Sequence, residues 1–288
     1  MEKFVDIAYL VAAIYFIYGL KMLSHPKTAR NGNRIASIGM LIAIVATVLL
    51  GSNLSFQMIA IAMILGSIIG AFFAIKVEMT QMPQLVAIFN GFGGAASALV
   101  ASAEFLKNYQ GFENDPSLLL TISIVLSLLI GTLTFTGSFI AFGKLQGIVT
   151  TKPVTFPGQQ ILNGILAVIM IAAAYMIPSY GINSFYVIVA LSALLGILLV
   201  IPIGGADMPV VISLLNSYSG IAAAMTGFVL VSSNPSAGNA LIICGSLVGA
   251  SGMILTQIMC KGMNRSLANV IFGAVGGDDS GETGGEGK

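Results

Sequence analysis

SLLLTISIVLSLLIGTLTFTGSFIAF, residues 117–142, runs for 26 residues without a charged side chain. A helix needs about 20 apolar residues to cross the hydrocarbon core of a bilayer, so this stretch is long enough to span a membrane. The rest of the chain has the same character, because 57% of its 288 residues are hydrophobic and 8% are charged. Soluble domains carry about 25% charged residues. The composition therefore excludes a soluble enzyme and a disordered protein, and predicts a polytopic membrane protein.

Nine segments have the length and composition of membrane-spanning helices. They cover residues 4–22, 35–51, 54–75, 83–106, 117–142, 160–177, 183–203, 209–231 and 238–260. Most of the connections between them are very short, so neighbouring helices are expected to form antiparallel hairpins. The sequence predicts an all-α fold with nine transmembrane helices.

The lysine and arginine residues are divided unevenly between the two sets of connections. Ten of the twelve fall on one side, and only Lys3 and Lys107 fall on the other. Positively charged loops stay in the cytoplasm, so the N-terminus is predicted to lie outside and the C-terminus inside. A net charge of +1 with no basic cluster argues against a nucleic-acid partner. The apolar helices are instead expected to contact membrane lipid.

Two helix starts have similar sequences. Residues 82–98 read MPQLVAIFNGFGGAASA, and residues 208–224 read MPVVISLLNSYSGIAAA, at a constant offset of 126 residues. We expect spans 3–5 and 7–9 to be two copies of a three-helix unit in the same orientation. Parallel repeats of this kind are known in transporters.

Two asparagines occupy matching positions in this repeat. At a rise of 1.5 Å per residue, Asn90 and Asn216 lie about 10 Å beyond the prolines that begin their helices. An amide facing lipid costs several kcal/mol, so both are expected to face the bundle interior. Gly94 and Gly220 follow on the same helix faces, and Ser138 lies on a small, polar face of span five.

Two interpretations of these faces remain open. Small and polar residues are ordinary packing devices between membrane helices, and this interpretation is favoured for Gly245, Gly249 and Ser97, with Gly252 close to the glycine pair. Matched asparagines beside a serine also suit an aqueous or hydrogen-bonded path. No acid, base or histidine lies deep within the predicted hydrocarbon region, so a proton path would be incomplete on this chain's own residues.

Asp207 lies in the connection before span eight, after two glycines. It either caps that helix or contacts a soluble partner.

No dinucleotide fingerprint precedes any predicted helix, so the chain is expected to bind no cofactor or metal. The last residues, GGDDSGETGGEGK, are rich in glycine and acidic side chains and predict a flexible linker. The domain division is therefore 1–265 for the membrane domain and 266–288 for the linker.

Four motifs give the chain a resemblance to a known family. They are KVEMTQMPQLVAIFNGFGG (76–94), TFTGSFIAFGKL (134–145), IGGADMPVVISLLNSYSG (203–220) and LVGASGMILTQIMCKGMNRS (247–266). Together they resemble the membrane domain of the beta subunit of proton-translocating nicotinamide nucleotide transhydrogenase. The resemblance covers essentially the whole chain.

The resemblance implies an enzyme of the bacterial inner membrane in which a proton gradient drives hydride transfer from NADH to NADP⁺. It implies an NADP(H)-binding domain beyond the linker, an alpha subunit with the NAD(H)-binding domain and further membrane helices, and two copies of each subunit. The nucleotides would be held outside this chain.

The resemblance also implies roles for individual residues. Asn90, Ser138 and Asn216 match the family's proton path, and Asp207 matches an aspartate at the face that meets the NADP(H) domain. Gly245, Gly249 and Gly252 match a glycine-rich helix beside the path. Some members have a histidine at the position of Asn90, and the resemblance implies that here an alpha-chain helix supplies it. The alternatives from other classes are a stand-alone transporter or channel and a structural membrane anchor.

Overall fold

The computed structural model describes residues 2–23, 25–50, 56–107 and 117–272. Within these ranges the regular structure is helical, with nine long helices and one short one, which confirms the predicted all-α class. The helices are α1 (Glu2–Leu23), α2 (Pro26–Leu50), α3 (Phe56–Lys76), α4 (Met82–Lys107), α5 (Leu118–Leu145), α6 (Gln159–Tyr175), α7 (Ile177–Val200), α8 (Met208–Leu230), α9 (Pro235–Gly262) and α10 (Leu267–Phe272).

Each predicted span coincides with one long helix. Eight of the nine are long and apolar enough to cross a membrane, whereas α6, with 17 residues, is shorter. The polytopic membrane class is thus confirmed. The count of nine spans and the orientation of the termini stay predictions.

Proline and asparagine define several of the helix starts. Pro209 and Pro235 lie in the first turns of α8 and α9, where a missing N–H leaves no helical bond unmade. The Asn234 side chain caps α9 by accepting a hydrogen bond from the Ala237 N–H at 3.1 Å. The predicted 178–182 connection contains a break at Gly181, whose φ of 46° is readily adopted only by glycine.

The buried centre of the bundle is formed by α4, α5, α7, α8 and α9. Helix α4 packs along α5, and α8 packs along α9. Helix α8 also contacts both α4 and α5. Helix α7 packs against α5 and α6, while α1 and α2 form a hairpin whose α1 contacts α9. The interface between α4, α5 and α8 is therefore the place where the two repeated segments meet.

The repeat extends to the local backbone before each segment. A single 3₁₀ turn, Met79–Gln81, leads into α4, and another, Gly205–Asp207, leads into α8 at the same offset of 126 residues. The residues before these turns have nearly equal dihedral angles: φ −72° and ψ 157° at Glu78, φ −69° and ψ 154° at Gly204. The sequence match thus corresponds to a repeated chain conformation.

The first helices of the proposed three-helix units differ in packing. Helix α7 is packed against α5, with Ile188 and Ser192 fully buried. Helix α3, all of whose residues are described, buries none of them within the chain. The structure therefore supports the repeat for α4–α5 and α8–α9, and gives α3 a different environment from α7.

A short helix occupies the start of the predicted linker. Helix α10 contains Val270, which is 3% exposed and belongs to the main hydrophobic core. The acidic and glycine-rich residues 273–288 lie outside the described residues, so the flexible linker stays a prediction.

Candidate functional site

Asn90, Ser138 and Ser219 form a hydrogen-bonded cluster where α4, α5 and α8 meet. The Asn90 Nδ2 donates to Ser138 Oγ at 3.1 Å, and Ser219 Oγ donates to Asn90 Oδ1 at 2.6 Å. Asn90 is 8% exposed and Ser138 is 1% exposed. We call these three residues the polar cluster. It satisfies a buried amide that would otherwise cost several kcal/mol.

The Ser219 hydroxyl has two acceptors within reach. Its oxygen lies 2.6 Å from Asn90 Oδ1 and 2.9 Å from the Asn216 carbonyl oxygen. A hydroxyl carries one hydrogen, so Ser219 donates to one acceptor at a time and can exchange them by rotation. The polar cluster can therefore change its hydrogen-bond direction without moving a helix.

The structure brings together two of the three residues predicted for the path. Asn90 and Ser138 are bonded directly, whereas Asn216 approaches through its backbone carbonyl. The Asn216 side chain is half-buried, and no hydrogen bond joins it to another of the described residues. The matched sequence positions of the two asparagines therefore have different surroundings.

A second buried polar group lies deeper along the same three helices. Ser127 Oγ and Thr226 Oγ1 are 2.7 Å apart, and both approach the Ser97 carbonyl oxygen, at 3.2 and 3.4 Å. Thr226 follows Ser219 by seven residues, about 10 Å along α8. Between the two levels, the fully buried Thr134 hydroxyl has no hydrogen-bond partner among the described residues. The α4–α5–α8 interface thus holds hydroxyl groups at several depths.

Glycine allows α4 and α5 to cross closely beside the polar cluster. A Cβ atom at Gly94 would lie 2.7 Å from the Gly131 carbonyl oxygen and 2.9 Å from the Thr134 Cβ. A methyl group there has no room, so Gly94 sets the distance between the helices that carry Asn90 and Ser138.

The predicted packing glycines lie between α8 and α9. A Cβ atom at Gly220 would lie 2.8 Å from the Gly245 carbonyl oxygen, and one at Gly252 would lie 2.8 Å from the Ser217 nitrogen. Ser217 Oγ also donates to the Gly249 carbonyl at 2.6 Å. Gly220, Gly245, Gly249 and Gly252 are all buried, and their geometry is that of a close helix crossing.

Two adjacent glycines on α4 provide a matched test of this crossing. A Cβ atom at Gly93 would meet nothing within 4 Å, unlike one at Gly94. Overpacking costs about 1–3 kcal/mol, so Gly94→Ala should lower the apparent melting temperature in detergent by at least about 3 °C. Gly93→Ala should leave it unchanged or raise it slightly, because alanine is the better helix former. Equal melting temperatures for the two variants would contradict the close crossing.

Asp207 forms an ion pair at the end of the bundle where α8 begins. Its Oδ2 accepts from Arg265 Nη1 at 2.8 Å. Asp207 occupies the N-cap position of α8 but makes no side-chain capping hydrogen bond, so the capping interpretation is not supported. Its Oδ1 is buried without a hydrogen-bond partner in the described chain. One carboxylate oxygen is therefore held by Arg265 while the other is unused.

Several residues of these arrangements carry little signal in the sequence. Ser219 is one of the small residues of the repeat, although it follows Asn216 by three positions and so shares its helix side. Arg265 and Lys144 are loop charges in the sequence, whereas in the structure Arg265 pairs with Asp207 and Lys144 is completely buried. The hydroxyls of Ser127 and Thr226 had no signal beyond their occurrence in apolar helices.

The chemistry of the polar cluster is that of hydrogen-bond donors and acceptors rather than of a proton store. Amides and hydroxyls both donate and accept hydrogen bonds, and none of these groups titrates near neutral pH. Among the described residues, no group of three or more His, Cys, Asp or Glu side chains could hold a metal ion. The absence of a bound nucleotide or other cofactor stays a prediction.

Comparisons with known proteins identify the family. A family model described as NAD(P) transhydrogenase beta subunit matches residues 5–288. The chain is 46% identical over 278 residues to the NAD(P) transhydrogenase subunit beta of Rhodospirillum rubrum, and equally to that of Rhodospirillum rubrum strain ATCC 11170. The alignment covers 94% of this chain and 58% of each relative, so the chain spans less than two thirds of these relatives. With this match over nearly its whole length, the chain belongs to the NAD(P) transhydrogenase beta subunit family.

Proposed function

We propose that this chain is the proton-conducting membrane part of an NAD(P) transhydrogenase, in which proton passage drives hydride transfer from NADH to NADP⁺. The observation that carries the proposal is the buried polar cluster of Asn90, Ser138 and Ser219. A lipid-embedded bundle needs no such group for stability, because hydrogen bonds between membrane helices average only about 0.6 kcal/mol. Family membership favours this function over a stand-alone transporter, channel or anchor.

The polar cluster would order the hydrogen-bonded path along which a proton moves, without taking up the proton itself. Ser219 can donate toward Asn90 or toward the Asn216 carbonyl, and Asn90 donates onward to Ser138. Because these groups carry no charge themselves, an ionisable side chain must supply it. We propose a histidine from a membrane helix of the alpha subunit, and we place Asn216, half-buried and without a side-chain bond, on the side that meets it.

The remaining components would lie outside the bundle. We propose an NADP(H)-binding domain attached beyond residue 288, and an NAD(H)-binding domain on the alpha subunit. Two alpha–beta units would assemble in a bacterial inner membrane. Both nucleotides would then bind outside this chain. Asp207, with its unused carboxylate oxygen beside Arg265, is proposed to meet the NADP(H)-binding domain.

The complete enzyme in sealed vesicles tests this function. Hydride transfer from NADPH to NAD⁺ by molecules whose nucleotide-binding face points outward should acidify the vesicle lumen. A protonophore should abolish the acidification and speed the hydride transfer, because the opposing gradient is removed. The lumen pH is followed with a trapped pH-sensitive dye. Hydride transfer with no change of lumen pH in proton-tight vesicles would contradict the proposal.

A further inference from the structure

Lys144, at the C-terminal end of α5, is completely buried. Its Nζ lies 3.2 Å from the carbonyl oxygen of Lys152, 2.5 Å from that of Ile201 and 2.8 Å from that of Ile203. Among the described residues, no carboxylate forms an ion pair with it. A buried lysine held only by main-chain carbonyls has no part in the path proposed above.

The three carbonyls match the chemistry of an ammonium group. Lysine has three N–H donors and no acceptor, and each donor finds one carbonyl. A buried cation is tolerated only when it is fully hydrogen-bonded. The C-terminal end of α5 adds a favourable partial negative charge. The site is therefore built around this side chain.

The three carbonyls belong to two separate connections. Lys152 lies between α5 and α6, whereas Ile201 and Ile203 lie between α7 and α8. The second connection continues directly into the 3₁₀ turn that ends at Asp207. Two main-chain bonds also join the connections, from Gly205 N to Thr151 O at 2.8 Å and from Val154 N to Ile201 O at 3.3 Å. Lys144 is the side chain that fastens both connections to α5.

Helix α5 also carries Ser138 of the polar cluster. Ser138 precedes Lys144 by six residues, about 9 Å along the helix. A shift of α5 that accompanies a change in the polar cluster would therefore be transmitted through Lys144 to the connection that bears Asp207. In the first repeat, the corresponding 3₁₀ turn, Met79–Gln81, contains no buried residue, whereas the second contains the buried Asp207.

We propose that Lys144 is a positioning residue that couples Ser138, the α5 member of the polar cluster, to Asp207 on the α7–α8 connection. The proposal rests on the proposed function, because it assigns Asp207 to the contact with the NADP(H)-binding domain. It predicts that removing the ammonium group uncouples proton passage from hydride transfer without preventing either soluble domain from binding its nucleotide.

The test uses Lys144→Met in the complete enzyme, with Lys152→Met as the matched control. Both changes remove one lysine charge, but the Lys152 side chain is exposed and its carbonyl remains in place. Proton-coupled turnover should fall about tenfold with Lys144→Met, while proton-independent hydride exchange between the bound nucleotides should be unchanged. Lys152→Met should leave both rates unchanged, and Lys144→Arg should restore part of the coupled rate.

A spin label at Ala206→Cys reports whether Lys144 restrains the α7–α8 connection. Ala206 is exposed in the middle of the second 3₁₀ turn, and the label requires prior replacement of Cys244 and Cys260. Lys144→Met should make this label more mobile in the electron paramagnetic resonance spectrum, and Lys152→Met should not. This measurement does not depend on proton transport, so it separates failure of the fastening from failure of the proposed function.

The outcomes that overturn the proposal are distinct. An unchanged label mobility would refute the fastening, and an unchanged coupled rate would refute the coupling role. An equal loss of both hydride-transfer rates would show a purely structural role. If the Met variant does not assemble, Lys144→Gln, which keeps two N–H donors, is judged by the same measurements and the same criteria.

Discussion

Replacing Asn90 with Leu should lower proton-coupled turnover of the complete enzyme by at least about tenfold, which corresponds to a rise of about 1.4 kcal/mol in the barrier. Leucine has a similar size, but it can neither donate to Ser138 nor accept from Ser219, so it interrupts both bonds of the polar cluster. Hydride exchange that does not require proton passage should continue at its normal rate, because that chemistry would lie outside this chain.

The control for this variant is Asn163→Leu. Asn163 is also a buried amide, 7% exposed in α6, but it is not part of the polar cluster, and its Oδ1 has no hydrogen-bond partner among the described residues. Asn90→Leu removes two interhelical hydrogen bonds, which average about 0.6 kcal/mol each, and Asn163→Leu removes none from Oδ1, so both variants should assemble. The coupled rate is measured by nucleotide absorbance in the presence of an imposed proton gradient. If Asn90→Leu and Asn163→Leu had equal coupled rates, Asn90 would be a packing residue only.

Replacing Asp207 with Asn should also lower the coupled rate by about tenfold or more, within the usual range of coupling free energies. The change keeps the size of the side chain but removes the charge that Arg265 contacts at 2.8 Å. Stability should change only modestly, because the Arg265 side chain is 53% exposed, although that of Asp207 is 13% exposed, and the amide oxygen of Asn can still accept a hydrogen bond from Arg265. The expected loss is therefore in the contact with the NADP(H)-binding domain.

Glu78→Gln is the matched control for Asp207→Asn. Glu78 is an exposed carboxylate next to the equivalent 3₁₀ turn of the first repeat, so the same chemical change is made beside the same local conformation. Coupled and proton-independent hydride transfer are compared in both variants. A coupled rate for Asp207→Asn as high as that for Glu78→Gln would remove Asp207 from the coupling route.

The helices and two of the three residues of the polar cluster could be predicted from the sequence because their signals are local. Uninterrupted apolar stretches determine the spans, and prolines determine several starts. The 126-residue offset indicated a repeated structure, which the two 3₁₀ turns share. The cost of exposing an amide to lipid placed Asn90 in the interior, where it is found.

The different surroundings of Asn90 and Asn216 could not be predicted from their matched positions. Helix α5 presents the Ser138 hydroxyl to α4, whereas α9 presents glycine carbonyls to α8, as at Gly249. What an asparagine bonds to depends on the neighbouring helix and its rotation, and neither is encoded in the repeat itself. The hydrogen bond from Ser219 to Asn90 could not be predicted for the same reason.

The hydrogen-bond partners of Lys144 and Arg265 also could not be predicted from the sequence. A count of loop charges treats every lysine as exposed, but Lys144 finds three carbonyls from two distant connections. Arg265 follows Asp207 by 58 residues, and only the folded bundle brings them together. Such pairs depend on loop geometry, which carries no periodic signal.

Proton uptake by sealed vesicles containing the Asn90→Leu enzyme is the most direct test of the polar cluster as part of a proton path. During hydride transfer from NADPH to NAD⁺, the lumen of these vesicles should not acidify beyond the leak seen without nucleotides, whereas vesicles with the Asn163→Leu enzyme should acidify as the unmodified enzyme does. Normal acidification by the Asn90→Leu enzyme would contradict the account.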